Sequence, residues 1–240
     1  MAAWRVRGCA LALTALWLSA LPGSLLAQSA SPTTPVRDVL CHDQHDGNNR
    51  ESICLKQLGA IASRRGNDLR LKLANAATRA FTTTQKACDD GDHAKCKDFR
   101  LSAYYPRHHL FLVARNSTEG GDFLLISART GKELQLDEIP HFSPSGKRMA
   151  AVSASESYND NSIEIWTTGD NLPKREWRHE VPNDKYELYE FESWDGDDRL
   201  KMRVTLRIGE ELRGGIPVEA VRTASGWQLM PPTLDAGGAR

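Results

Sequence analysis

The chain has 240 residues, with 31 basic and 31 acidic side chains, so its formal net charge at neutral pH is zero. A balanced charge provides no bulk attraction to nucleic acid or to anionic lipid, and we predict no nucleic-acid partner. The length fits one medium-sized domain, or one domain with a small appendage.

The amino terminus has the pattern of a cleavable secretory signal peptide, predicted over residues 1–27. Arg5 and Arg7 precede an apolar run over residues 8–21. That run is shorter than the ~20 residues that a membrane-spanning helix needs. We therefore predict cleavage after Ala27, a periplasmic or secreted protein, and no stable membrane span after cleavage. An uncleaved anchor is the alternative.

The cysteines indicate disulfide bonds rather than a metal site. Loss of the signal peptide removes Cys9 and leaves Cys41, Cys54, Cys88 and Cys96. An even number of cysteines in an oxidising compartment favours bridges. Two other pairings exist, but the sequential one, Cys41 with Cys54 and Cys88 with Cys96, closes the shortest loops and is our prediction. Histidines near Cys41 match no strong zinc spacing, so we predict no metal and no cofactor.

The amino-terminal part of the mature chain is predicted to hold a flexible lead and one short helix. The lead covers residues 28–40, which are small and polar. Residues 41–65 form a disulfide-stapled segment in which Leu58 and Ile61 follow a helical spacing. Gly66 is expected to end that helix.

Beyond this glycine the hydrophobic period changes to two, which predicts β-strands. In residues 200–208 apolar side chains alternate with charged or polar ones, as in a strand with one buried face. Asp195 and Gly196 favour a turn before it, so residues 186–208 are predicted to form a long hairpin. Further strands are predicted at residues 69–73, 80–84, 99–105, 109–114, 123–127, 149–153 and 163–167. The predicted β domain covers residues 66–232, and a disordered tail follows.

Turn residues recur at a regular interval along this domain. Pro106, Pro144 and Pro182 lie 38 residues apart (144 − 106 and 182 − 144), as do Gly131 and Gly169 (169 − 131). A repeat of this length that holds several short strands has the size of a propeller blade.

The clearest unit, residues 141–169, carries a family resemblance. Its opening, HFSPSGKRMAAVSAS, resembles the F-S-P-D-G-K signature of blades in WD40-like and TolB-type bacterial β-propellers, with Ser145 in the place of the family's Asp. SIEIWTTG resembles the Trp-containing third strand of such a blade. The resemblance implies a tight turn at Pro144 and Gly146, and a mainly β antiparallel meander of blade-like units that forms a small or incomplete propeller. A β-sandwich is the alternative fold class.

Candidate binding residues stand out more clearly than catalytic ones. The sequence contains no G-x-S-x-G elbow, H-E-x-x-H helix or phosphate-binding glycine loop. The polar segment SASESYNDN, with Tyr158, Asn159 and Asp160, is predicted to be a loop on a rigid sheet, where binding residues often lie. Trp166 and Trp194 are further binding candidates. Their alternative role is packing between strands.

These observations favour an exported binding or scaffold module of the cell envelope that is not an enzyme. Its expected partner is another envelope protein or a glycan. One alternative is a periplasmic hydrolase that uses dispersed carboxylates with His108 or His109. Another alternative is a small envelope inhibitor stapled by its amino-terminal disulfides.

Overall fold

The fold is mainly β. The computed structural model describes residues 37–41, 50–117, 120–155, 161–169, 171–182 and 184–232, which contain sixteen strands and two short helices. The strands form four antiparallel sheets, and none of these sheets closes into a barrel within the described residues. The predicted signal peptide and the predicted tail over residues 233–240 lie outside the described residues.

Each sheet is built almost entirely from strands that follow one another in the chain. The first sheet contains β2 (Ala62–Arg65), β3 (Asp68–Lys72) and β4 (Thr78–Thr82). The second has the order β1 (Val39–Leu40), β5 (Asp98–Tyr105), β6 (Leu110–Ser117), β7 (Gly120–Ser127) and β8 (Glu133–Leu136). The third contains β9 (His141–Phe142), β10 (Arg148–Ser153), β11 (Ser162–Thr167) and β12 (Lys174–Glu180). The fourth contains β13 (Glu187–Asp195), β14 (Arg199–Ile208), β15 (Glu211–Thr223) and β16 (Gly226–Leu229). The helices are α1 (Glu51–Gln57) and α2 (Gln85–Asp89).

The sheets pack in series through their apolar faces. One buried cluster joins the first sheet to the second, another joins the second to the third, and another joins the third to the fourth. Strand alternation explains how an inner sheet contributes to two clusters. On β7, Leu124 and Ile126 belong to the first of these clusters while Leu125 belongs to the next. On β11, Trp166 packs toward the second sheet and Ile165 toward the fourth.

Charged side chains cover the outer faces of the first and last sheets. Arg70 and Lys72 alternate with the buried leucines of β3 and are exposed. Glu190 lies opposite Arg203 in the fourth sheet, and both are exposed. Polar outer faces of this kind are typical of the terminal units of a repeat array, because no further unit packs on them.

Two pairs of residues separated by 38 positions fall at corresponding connections of the second and third sheets. Pro106 and Pro144 lie in the turns before β6 and β10, and Gly131 and Gly169 lie in the links before β8 and β12. Pro182 instead lies in the connection between the third and fourth sheets. The interval from Pro144 to Pro182 therefore does not join two equivalent turns.

The amino-terminal segment differs from the prediction in two places. The helix ends at Gln57, and Ala62–Arg65 forms a strand that pairs with β3. Gly66, at φ +54°, begins the turn between β2 and β3. The short apolar run around Ile61 is compatible with a helix or with a strand. The pairing of β2 with β3 selects the strand. Val39–Leu40, assigned to the flexible lead, pairs with β5 as a short strand.

Both predicted disulfides are confirmed. Cys41 is bonded to Cys54, which ties the end of β1 to α1 inside the first apolar cluster. Cys88 is bonded to Cys96 and closes the short loop that follows α2. Neither helix in the described ranges has the length and apolar character needed to cross a membrane.

Candidate functional site

An open polar groove lies where the second and third sheets meet, along the edge of β8 that pairs with no strand of the described residues. This edge is called the free edge below. It consists of two adjoining depressions of about 660 Å³ and about 450 Å³. Gln135 and Asp137, at the end of β8, belong to both depressions. We call the combined feature the β8 groove.

The larger depression is walled by four separate pieces of chain. They are the disulfide loop after α2, the β6–β7 hairpin, the exit of β8 and the end of β10, represented by His93, Arg115, Glu138 and Ser153. Arg115 Nε donates to a carboxylate oxygen of Asp122 at 2.8 Å. This hydrogen bond raises the pKa of the Arg115 guanidinium. The hairpin therefore presents a fixed ion pair to the depression.

The smaller depression contains a buried carboxylate held by two guanidinium groups. Glu164 on β11 has a side chain only 4% exposed. Its Oε1 accepts hydrogen bonds from Arg175 Nη1 at 2.7 Å and from Arg178 Nη1 at 2.9 Å, both on β12. Arg178 also pairs with Glu180 at 2.8 Å. The buried charge is thus neutralised, as burial of a carboxylate requires.

Trp166, a predicted binding residue, lies in this smaller depression. It is two residues from Glu164 on the same face of β11 and is 7% exposed. The Arg175 guanidinium lies over its ring, 5.6 Å from the ring centre. Its indole Nε1 has no hydrogen-bond partner among the described residues. An unpaired buried N–H of this kind costs free energy.

The predicted binding loop adjoins the groove at its base. Tyr158, Asn159 and Asp160 lie outside the described residues. The residues just before them are described, and Ser153 and Ser155 line the larger depression. The described start of the predicted loop therefore borders the larger depression of the groove.

Trp194, the other predicted aromatic, packs between the third and fourth sheets. Its Nε1 donates to the His141 carbonyl at 2.9 Å. Its ring meets Trp227 edge-on at 6.1 Å between ring centres. This position corresponds to the packing role, and Trp194 does not line either depression of the groove.

The two adjacent histidines form part of the β5–β6 turn. His108 stacks on Phe142 with 4.3 Å between ring centres. Burial lowers the pKa of His108, against the opposing effect of the Asp38 carboxylate. His109 adopts φ +52° in the turn. Neither histidine lines the β8 groove, and the described residues contain no cluster of His, Cys, Asp and Glu suited to a metal ion.

The sequence analysis did not predict β8, the strand along which both depressions of this site lie. The strand is four residues long, and Glu133 and Gln135 give it the composition of a loop. The alternation of Leu134 and Leu136 with these polar residues was the available signal. Both leucines pack toward the third sheet.

Comparison of the chain with family models, with curated proteins and with solved structures gives no match.

Proposed function

We propose that the protein is an exported binding module of the cell envelope and that the β8 groove is its ligand site. Export is supported by the signal-peptide pattern of residues 1–27 and by two disulfides, which persist in oxidising compartments. Another envelope protein or a glycan is the expected ligand.

One observation carries the assignment to the groove. Two adjoining depressions lie along a free sheet edge, and one of them is lined by Trp166, whose buried indole N–H has no partner among the described residues. Ligand sites are typically concave and offer a few convergent polar groups. The surrounding donors and acceptors, among them Arg175, Arg178 and Asp137, meet that description.

Binding is favoured over hydrolysis. His93 and Asp122 line the same depression, which is the arrangement a hydrolase would require. The Asp122 carboxylate, however, accepts hydrogen bonds from both Nε and Nη2 of Arg115. Both oxygens of this carboxylate are thus already engaged by the Arg115 guanidinium.

We also propose that the four sheets are blade-like units of an incomplete propeller. Successive antiparallel meanders support this assignment, as does the turn at Pro144, where the Gly146 N–H donates to the Ser143 carbonyl at 2.8 Å. At the family's Asp position, Ser145 Oγ donates to Asp197 of the fourth sheet at 2.6 Å. A carboxylate thus reaches the turn from the neighbouring unit. Four sheets in series also differ from the two facing sheets of a β-sandwich.

Photo-cross-linking tests the proposed site. A benzoylphenylalanine placed at His93, on the wall of the larger depression, is expected to form an adduct when the oxidised protein is irradiated with envelope extract of source cells. The same probe at Arg203, on the exposed face of the fourth sheet, is the control. Protease and periodate sensitivity of the adduct assign it to protein or glycan. Equal labelling at both positions, or none at position 93, contradicts the proposal.

A further inference from the structure

We infer that the β8 groove binds an extended polypeptide segment, which adds as a new antiparallel or parallel strand to the free edge of β8. This inference rests on the proposed function and specifies the class of ligand. It is based on the direction of the backbone groups of β8, on the composition of that edge and on the surroundings of Trp166.

The hydrogen-bond phase of the β7–β8 ladder fixes which groups face the free edge. The Ser127 N–H donates to the Lys132 carbonyl at 2.9 Å, and the register continues as Leu125 with Leu134. Successive residues of a strand point their N–H and C=O groups to opposite sides. Glu133 and Gln135 therefore direct theirs away from β7, toward the groove.

The residue types of this edge give it little protection against strand pairing among the described residues. β8 is the last strand of the second sheet, and Gln135 is exposed. Edge strands are commonly guarded by charged residues or proline. In the third sheet, the edge strand β12 has charged side chains at five of seven positions, whereas β8 has only Glu133, whose carboxylate pairs with Arg79 at 2.6 Å.

The recessed position of β8 determines what can reach it. The disulfide loop and the third sheet flank the groove, an arrangement that favours a single extended chain over the edge of another folded sheet. Gln135 and Asp137 belong to both depressions. A strand paired with β8 would therefore pass from one depression to the other and place side chains in each.

The smaller depression fits an amide side chain of such a peptide. The two arginines supply donors, and their charges are met by the carboxylates of Glu164 and Glu180. Asp137 also lines this depression. A neutral acceptor such as Asn or Gln suits this balance better than a carboxylate. A glycan is less well matched, because the ring of Trp166 is 7% exposed and lies under Arg175, so no aromatic face is open for stacking on a sugar.

Two substitutions at one position separate main-chain pairing from side-chain recognition. Gln135→Pro removes an N–H that points to the free edge and leaves the ladder to β7 intact, a position where proline is tolerated. Gln135→Ala removes the side chain and retains the N–H. The probe is a synthetic peptide selected from a phage-displayed library of random sequences and measured by fluorescence anisotropy. We expect Gln135→Pro to bind about tenfold more weakly than Gln135→Ala, or worse, because both variants lack the glutamine side chain and only the proline also lacks the N–H.

A peptide-side experiment keeps the inference testable if Gln135→Pro unfolds. Single N-methyl groups along the selected peptide should abolish binding at every second residue, because alternate amides of a paired strand face β8. Failure to select any peptide, equal binding by both variants, or an N-methyl pattern without a period of two overturns the inference. A glycan adduct at position 93 in the cross-linking experiment would do so as well, while leaving the proposed binding function in place.

Discussion

Arg148 joins the third sheet to the fourth, and its removal should have a stability cost that depends on pH. The residue is 9% exposed. Its Nε donates to Glu176 Oε2 at 2.9 Å, and its Nη1 donates to Asp198 Oδ1 at 3.0 Å. Glu176 Oε2 also accepts from Trp227 Nε1 at 2.9 Å. Arg148→Ala would leave this half-buried carboxylate with the indole as its remaining hydrogen-bond donor.

We expect Arg148→Ala to lower the free energy of unfolding by about 2–3 kcal/mol at pH 7. Breaking a buried pair from one side costs about 3–5 kcal/mol. The value here is smaller, since Glu176 and Asp198 have side chains that are 20% and 65% exposed. Arg148→Ala also removes the guanidinium that lies over the Trp227 ring, 5.8 Å from the ring centre.

The pH dependence follows from the pKa of Glu176. Burial acts to raise this pKa, but hydrogen bonds from Arg148 and Trp227 outweigh it and hold the pKa below its usual 4.5. The stability from this carboxylate is therefore present above pH 4.5 and lost as pH falls through the lowered pKa of the folded protein. In the Arg148→Ala variant one of the hydrogen bonds that lower the pKa of Glu176 is lost, so this carboxylate is protonated at a higher pH than in wild type. The difference in unfolding free energy between variant and wild type therefore shrinks in acid.

Urea unfolding of the oxidised protein, followed by tryptophan fluorescence at pH 7 and pH 3.5, measures both effects. Arg203→Ala is the matched control, because Arg203 pairs with Glu192 at 2.9 Å on an exposed face. Such a pair contributes about 0–1 kcal/mol. The reasoning fails if Arg148→Ala costs no more than Arg203→Ala at pH 7, or if its cost is unchanged in acid.

Three further predictions concern a glycine, a histidine and a disulfide. Gly131→Ala should destabilise by about 1–3 kcal/mol in urea unfolding, because Gly131 has φ +72° and a Cβ there would lie 2.6 Å from Leu73 Cδ1. Burial lowers the pKa of His179, so unfolding binds a proton and stability should fall as pH drops below 6.5; His179→Gln should weaken this dependence in unfolding measured at pH 7.5 and 5.5. Replacing Cys88 and Cys96 with serine should weaken peptide binding by releasing the loop that walls the groove, as anisotropy would show.

Each of these has a control within the chain. Gly169→Ala, at the equivalent link of the third sheet, meets no atom within 4 Å and should be nearly neutral. His93→Gln changes an exposed histidine and should leave the acid dependence intact. Replacing Cys41 and Cys54 with serine should lower the free energy of unfolding but should weaken peptide binding less than the Cys88 and Cys96 replacement does. Equal effects of a variant and its control would refute the corresponding explanation.

The sequence predicts the strands well where one side of the pattern is strongly apolar. The alternation from Leu200 to Ile208 corresponds to β14, and Asp195 with Gly196 leads into the turn of the predicted hairpin. β15 escaped prediction because Gly214, Gly215 and Pro217 resemble a loop. In the structure β15 is paired on both sides, and a register shift accommodates the glycines.

The candidate site was predictable only in part, because it depends on which strands become neighbours. Trp166 was identified from its residue type, and the loop after Ser155 from its polarity. Nothing local to Gln135 shows that its backbone faces an open edge, since that depends on the phase of the β7–β8 ladder. The contact of Arg175 and Arg178 with Glu164 likewise requires the pairing of β11 with β12.

The two disulfides stabilise only the amino-terminal end of this series of sheets. Both crosslinks fall between Cys41 and Cys96, so covalent closure is confined to the first two sheets, while the third and fourth are held by packing and polar contacts alone. In a serial array each unit is stabilised mainly by its nearest neighbours. Reduction of the disulfides would therefore lower the stability of the first two sheets more than that of the third and fourth. This would change the order in which the sheets unfold.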